Sequence, residues 1–165
     1  MSSNLDSLVS KAKELARSGD DEEAMSLADD VVERYPNEME AWSLLGHLHA
    51  RNHNYQEAIA NIARAIDVNP LEPSLFFDRG RYELALGMEK SAVTVFSKGL
   101  ELCDHHNDDY YRESLHFFRA EALIRLGRKR EAVEDLVHVR ADFKMWTDKL
   151  RNKADLQAEC DQLPR

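Results

Sequence analysis

Residues 39–72 read MEAWSLLGHLHARNHNYQEAIANIARAIDVNPLE, and their spacing decides the fold. Ala58 in this stretch has counterparts at Ala24 and Ala92, each 34 residues away, and Ala132 follows after 40. Laid out in that register, the chain divides into units at 5–38, 39–72 and 73–106, six extra residues, and a unit at 113–146. Unit position 8 holds Ala12, Gly46, Gly80 and Ala120, and position 15 holds Gly19, His53, Gly87 and Gly127. Small residues at fixed spacing mean backbones that approach closely, so positions 8 and 20 predict the contact points of a helix pair. Position 15 then falls in the intervening turn, where glycine supplies the left-handed conformation that ends a helix. A period of this length predicts a stack of helical hairpins in which each unit buries its apolar face against the next.

Working outward, the helices are expected near 4–17, 21–34, 38–51, 55–68, 73–86, 89–103, 111–126 and 129–141. The one irregular connection is Asp104–Tyr111, DHHNDDYY, which fits either a polar loop or an extended helix end. Past Asp142, Phe143, Trp146, Leu150 and Ala154 fall at i, i+3, i+7 and i+11, predicting a further helix over about 144–160. With Trp146 and Leu150 inward and Lys149, Arg151 and Lys153 outward, it would cap the last unit, whose apolar face has no following neighbour.

The second unit carries Trp42, Leu45, Gly46, Ala58, Ile62, Ala65 and Pro70 at positions 4, 7, 8, 20, 24, 27 and 32, and in this it resembles the tetratricopeptide repeat. The first unit keeps Leu8, Ala12, Leu15, Ala24 and Pro36, and the third keeps Phe76, Gly80, Ala92, Phe96 and Gly99. The fourth keeps Ala120, Leu123, Ala132 and Leu136 but has Lys144 in place of the closing proline. The resemblance implies one all-α domain over residues 1–165, a right-handed α-solenoid of four helix-turn-helix units with the C-terminal capping helix. It also implies a non-catalytic adaptor that binds a protein or peptide in a concave groove, with a small cytoplasmic chaperone of a secretion or assembly system as the alternative.

In the family, positions 2, 5, 9 and 13 of each first helix line that groove. Here they supply Lys13 and Arg17, Ser43, His47 and Arg51, Phe77 and Arg81, and Phe117 and Arg125 as the expected partner-binding residues. The cations form a ribbon in a chain whose formal net charge is −9, which points to an acidic partner steered by charge, with Phe77 and Phe117 as apolar contacts. Against this, Asp6, Glu40 and Glu121 share the same positions and could neutralise the ribbon internally. The carboxylate clamp by which some family members hold acidic chaperone tails is absent, its positions reading Val9, Lys13, Leu44, Ser74 and Asp78. Arg79 and Arg119, at position 7, face the partner helix, and Arg119 is expected to pair with Asp135.

No phosphate-cradling or nucleophile-elbow motif occurs, so no enzyme activity and no cofactor are expected. His105, His106, Asp108 and Asp109 match no metal-ligand spacing. The acidic balance disfavours nucleic acid, and no apolar run approaches the ~20 residues that cross a bilayer. The N-terminus MSSNLDSLVSKAKELARSGD has no targeting pattern, and Cys103 and Cys160 form no paired motif, so a cytoplasmic monomer or weak homo-oligomer with reduced thiols is expected.

Overall fold

The acidic run Asp21–Glu23 occupies the first turn of one helix, Pro73 the first position of another, and Asn152 with Asp155 forms a reciprocal capping box at a third, so the sequence marks its own helix starts. A computed structural model describes residues 2–106, 110–147 and 149–162. The chain separates into two compact units, Met1–Leu71 and Glu72–Arg165.

The first unit contains α1 (Ser2–Ser18), α2 (Asp21–Arg34), α3 (Met39–Arg51) and α4 (Tyr55–Val68). The pairs α1–α2 and α3–α4 form helical hairpins, and α3 also packs on α1 and α2. Their core is made of small residues and leucines: Ala12, Ala24 and Ala28 are fully buried, with Leu44, Leu45 and Leu48 beside them. Half-buried Trp42 donates its indole N–H to the Pro36 carbonyl at 2.8 Å, tying the start of the second hairpin to the end of the first.

The second unit contains α5 (Pro73–Ala85), α6 (Glu89–His106), α7 (Arg112–Arg125), α8 (Lys129–Val137), β1 (Lys144–Trp146), β2 (Leu150–Asn152) and α9 (Lys153–Asp161). Here α5–α6 and α7–α8 are the hairpins, α6 packs on α7, and α9 packs on α7 and α8. The third second-helix therefore runs three residues past its expected end, so Asp104–His106 belong to α6. Asp108 and Asp109 lie outside the described residues.

The turns follow the register. Gly19, Gly87 and Gly127 have φ of +94°, +72° and +75°, and His53, at the same unit position, takes φ +61°. No other non-glycine residue with positive φ occurs among the described residues. The close approaches are also where expected: Gly46 lies against Ile62, and a Cβ on Gly80 would sit 2.3 Å from the Phe96 ring.

The cap departs from expectation. The helix expected over about 144–160 is a hairpin followed by the shorter α9, and Trp146, Leu150 and Ala154 are exposed while Arg151 is buried. Lys144 pairs with Asn152, Met145 with Arg151 and Trp146 with Leu150. Two local causes favour this outcome. The Asn152–Asp155 box starts a helix at Lys153, with bonds of 2.8 and 3.1 Å, and buried Glu121 draws Arg151 inward. Leu156, fully buried, is the apolar anchor that the cap helix contributes.

Gly80→Ala should cost about 1–3 kcal/mol through overpacking against buried Phe96. A Cβ on Gly46 would meet Ile62 Cδ1 and Cγ1 at 3.0 Å and the Ala58 carbonyl oxygen at 3.3 Å, and about 1 kcal/mol of added helix propensity offsets part of this, so Gly46→Ala should cost less than Gly80→Ala. His53→Gly relieves a left-handed residue and should stabilise by about 0.5–1 kcal/mol. Chemical denaturation of the three variants checks the order.

Candidate functional site

Successive residues four apart on a helix lie on one face, so Lys13 and Arg17 form a stripe on α1 while Ser43, His47 and Arg51 form one on α3. The two helices are packed neighbours. Lys13, Arg17 and Arg51 are exposed, and Ser43 and His47 are half-buried. Arg51 is bound to Asp21 at 3.0 Å, both ends being solvent-exposed. A surface pair of this kind contributes about 0–1 kcal/mol and exchanges partners easily. Lys13 and Arg17 have no carboxylate partner among the described residues. The first unit thus brings five expected site residues onto adjoining helices, with positive charge available.

In the second unit the same positions behave differently. Phe117 is fully buried and Phe77 is 7% exposed, which corrects the expectation that they offer apolar contact to a partner. Phe117 packs on Phe118 and Phe143, with centroids 5.7 and 5.4 Å away, and Phe77 packs on Phe118 and Tyr111 at 5.6 and 5.5 Å. These aromatic contacts join α5, α7 and the segment leading to the hairpin. Arg81 lies over the Phe77 and Phe118 rings, 5.3 and 5.5 Å from their centroids, where the ring quadrupoles attract its charge. Arg125 donates to Glu121 at 3.0 Å and to the Leu84 carbonyl at 3.4 Å, so its charge is compensated internally. Glu121 accepts from Arg151 with its other oxygen at 2.6 Å, and Arg151 also binds Glu159.

The position-7 arginines face inward as their spacing requires. Arg79 binds buried Glu83 at 2.8 Å. Arg119 grips buried Asp135 with Nε and Nη2 at 2.9 and 2.6 Å and donates to Ser97 Oγ at 2.9 Å through Nη1. Beyond the expected pair, His116 donates from Nδ1 to Asp135 at 2.7 Å and stacks on His138 with ring centroids 4.4 Å apart. His116 stands at unit position 4, the place of Trp42 and Phe76, so the repeat register itself marks it as inward-facing. Burial alone would raise the Asp135 carboxyl, but the hydrogen bonds from His116 and Arg119 and the Arg119 charge outweigh it and hold the group below the ordinary carboxylate range.

Among the described residues no group of three His, Cys, Asp or Glu side chains is placed to hold a metal ion, and no helix is long and apolar enough to cross a membrane. Cys103 is buried, and burial pushes the Cys160 thiol up, away from the reactive thiolate.

Two tetratricopeptide-repeat family models match residues 5–48 and 44–106. The chain belongs to the tetratricopeptide-repeat family. Solved tetratricopeptide-repeat structures align with it over most of its length. A crystal structure of MamA protein does so at 20% identity and TM-score 0.69, covering 82% of this chain and 70% of that one. The TPR2B domain of yeast Sti1 in complex with pHsp70 does so at 17% and 0.67, covering 72% and 94%. YrrB, described as a TPR protein with an unusual peptide-binding site, aligns at 21% and 0.65, covering 79% and 64%. At these identities the likeness is one of fold. No curated protein matches by sequence. Tetratricopeptide repeats are protein-interaction modules, and on the α1–α3 face of this one Lys13 and Arg17 are exposed without a carboxylate partner among the described residues.

Asp135→Asn should cost about 3 kcal/mol at pH 7, because Arg119 and His116 lose the charge they surround. A carboxyl depressed in the folded state stabilises fully above its unfolded value of about 4, and that contribution is lost as pH falls through the folded value. The difference between wild type and variant should therefore shrink below pH 4, which denaturation at pH 7, 4 and 3 would measure.

Proposed function

We propose that this chain is a non-catalytic adaptor that captures an acidic protein segment on the α1–α3 face of its first unit. The observation that carries this is the pair of adjoining stripes, Lys13 and Arg17 on α1 and Ser43, His47 and Arg51 on α3, exposing positive charge on a chain of formal net charge −9. Local positive charge on an acidic protein steers an acidic segment to one face while the remainder repels it, so the field selects orientation as well as partner. Arg51 exchanges Asp21 for a carboxylate of the partner at little cost, since both are exposed. Half-buried Ser43 and His47 lie on the α3 stripe with Arg51. Peptide capture by structural neighbours supports this reading: the yeast Sti1 domain is seen with pHsp70, and YrrB is described by its peptide-binding site.

The paired substitution Lys13→Glu/Arg17→Glu should weaken binding of a fluorescein-labelled peptide of alternating glutamate and leucine about tenfold, two surface charges at about 0.7 kcal/mol each. The affinity of wild type should fall with added salt, and Arg125→Gln, whose charge Glu121 already satisfies, should leave binding unchanged. Fluorescence anisotropy reads all three. Equal capture by wild type and the paired variant would remove the assignment.

A further inference from the structure

Among the described residues of the second unit, four arginines are half-buried: Arg79, Arg81, Arg112 and Arg119. Three of them meet a carboxylate, Arg79 on Glu83, Arg112 on Asp104 and Arg119 on Asp135. Arg81 meets none. It forms neither an ion pair nor a hydrogen bond among the described residues, and Asp78, three residues before it on α5, is not its partner. Taking part of a charge out of water is unfavourable unless something replaces the lost solvation. Here the replacement is aromatic: Cζ of Arg81 lies 5.3 Å from the Phe77 centroid and 5.5 Å from that of Phe118, and those two rings are 5.6 Å from each other. Both rings are buried. The guanidinium is therefore seated against two fixed walls, one supplied by α5 and the other by α7.

A guanidinium lying over aromatic rings uses its face for them and keeps its N–H edge for acceptors. No Arg81 nitrogen is among the buried polar atoms that lack a partner, so those N–H groups open to water. An anion receptor needs unused donors on a side chain already held in place, since an arginine fixed beforehand loses little rotamer freedom on binding. Arg81 combines the two. Arg125, the other groove cation of this unit, does not: its Nε and Nη2 are on Glu121 and its Nη1 is turned to the Leu84 carbonyl.

We propose that Arg81 is a carboxylate-binding point of the second unit, its N–H fork receiving a single aspartate, glutamate or C-terminal carboxylate of a protein partner. This rests on the reading of the chain as an adaptor for an acidic segment and adds a contact in the unit where the other groove positions are closed. Every other arginine of α5 and α7 is already paired. One open guanidinium matches a planar monoanion, whose two oxygens take two parallel N–H bonds. A phosphate, with nearly two charges, would leave part of its charge unmatched there.

Two readouts test this with the fluorescein-labelled peptide of alternating glutamate and leucine. In fluorescence anisotropy Arg81→Gln should weaken binding about tenfold, and Arg81→Lys, which keeps the charge and loses the fork, should stay well below wild type. In 1H–15N spectra of wild type the Arg81 Nε–Hε resonance should shift as peptide is added, which decides the matter even where a variant loses stability. Equal affinity of Arg81→Gln and wild type, full recovery in Arg81→Lys, or an Arg81 resonance that stays in place at saturating peptide would overturn the proposal. So would inorganic phosphate moving that resonance at lower concentration than the peptide does, which would assign the guanidinium to a free anion. Failure of the first-unit reading is distinct: it shows as unchanged capture by Lys13→Glu/Arg17→Glu with the Arg81 effects intact. A wild type that captures no peptide would overturn both.

Discussion

Every helical hairpin in this chain depends on how closely its two backbones approach at one crossing, and the chain sets that approach by trading size between two unit positions. Position 8 holds Ala12, Gly46, Gly80 and Ala120, while position 24 holds Ala28, Ile62, Phe96 and Leu136. The glycines stand against the branched and aromatic side chains: Gly46 touches Ile62, and Gly80 gives its whole side-chain volume to Phe96. Alanine at position 8 goes with alanine or leucine at position 24, and all four position-24 residues are buried to 1% exposure or less. The crossing is thus kept filled while individual residues change. A filled crossing has native packing density without strained rotamers, and the fixed direction it gives each helix decides which residues face solvent.

What the sequence reveals follows from that constraint. Positions whose role is set by the crossing or its turn are legible from spacing: the four buried alanines at position 20, the four left-handed turn residues, and the inward Arg119 that finds Asp135. His53 is informative because its side chain argues against a left-handed turn, yet the register imposes one. Legibility fails at the cap, where no neighbouring repeat enforces the period. Phe143, Trp146, Leu150 and Ala154 satisfy a helical stripe, but only Phe143 packs inward, on Phe117. Periodicity weighs apolar residues and is blind to Glu121, a buried acid one helix away that required a cation. The capping box at Asn152 was the local signal available, and its third-position acid is aspartate where glutamate or glutamine is the usual partner.

The charge pattern divides in the same way. A cation at a groove position in the sequence remains available only if the fold leaves no acid beside it. On α1 Lys13 and Arg17 are exposed and form no ion pair among the described residues, so those charges stay open. On α7 Glu121 and Arg125 are four apart, the spacing at which helix neighbours pair, and the acid is buried by what packs over it. The sequence shows both pairs of residues but not which acid is buried, and burial is the quantity that turns a charge from a ligand-binding group into a structural one. Phe77 and Phe117 illustrate the apolar form of the same rule: at groove positions they look available, yet Phe118, Tyr111 and Phe143 surround them.

One buried carboxylate therefore links the packing of the last repeat to the outermost surface of the chain. Glu121 sits at 1% exposure on α7, and Arg125 from its own helix reaches only one of its oxygens. The second oxygen needs a donor from the segment that covers α7, and Arg151 is that donor. Once Arg151 faces inward, strand alternation leaves Met145 as its inward partner and turns Lys144, Trp146 and Leu150 outward. Replacing the arginine by an apolar residue would strand Glu121, and moving it by one residue would bury Trp146 and Leu150 only by leaving that acid unpaired. The outward placement of Trp146 and Leu150 is thus a consequence of charge satisfaction in the core.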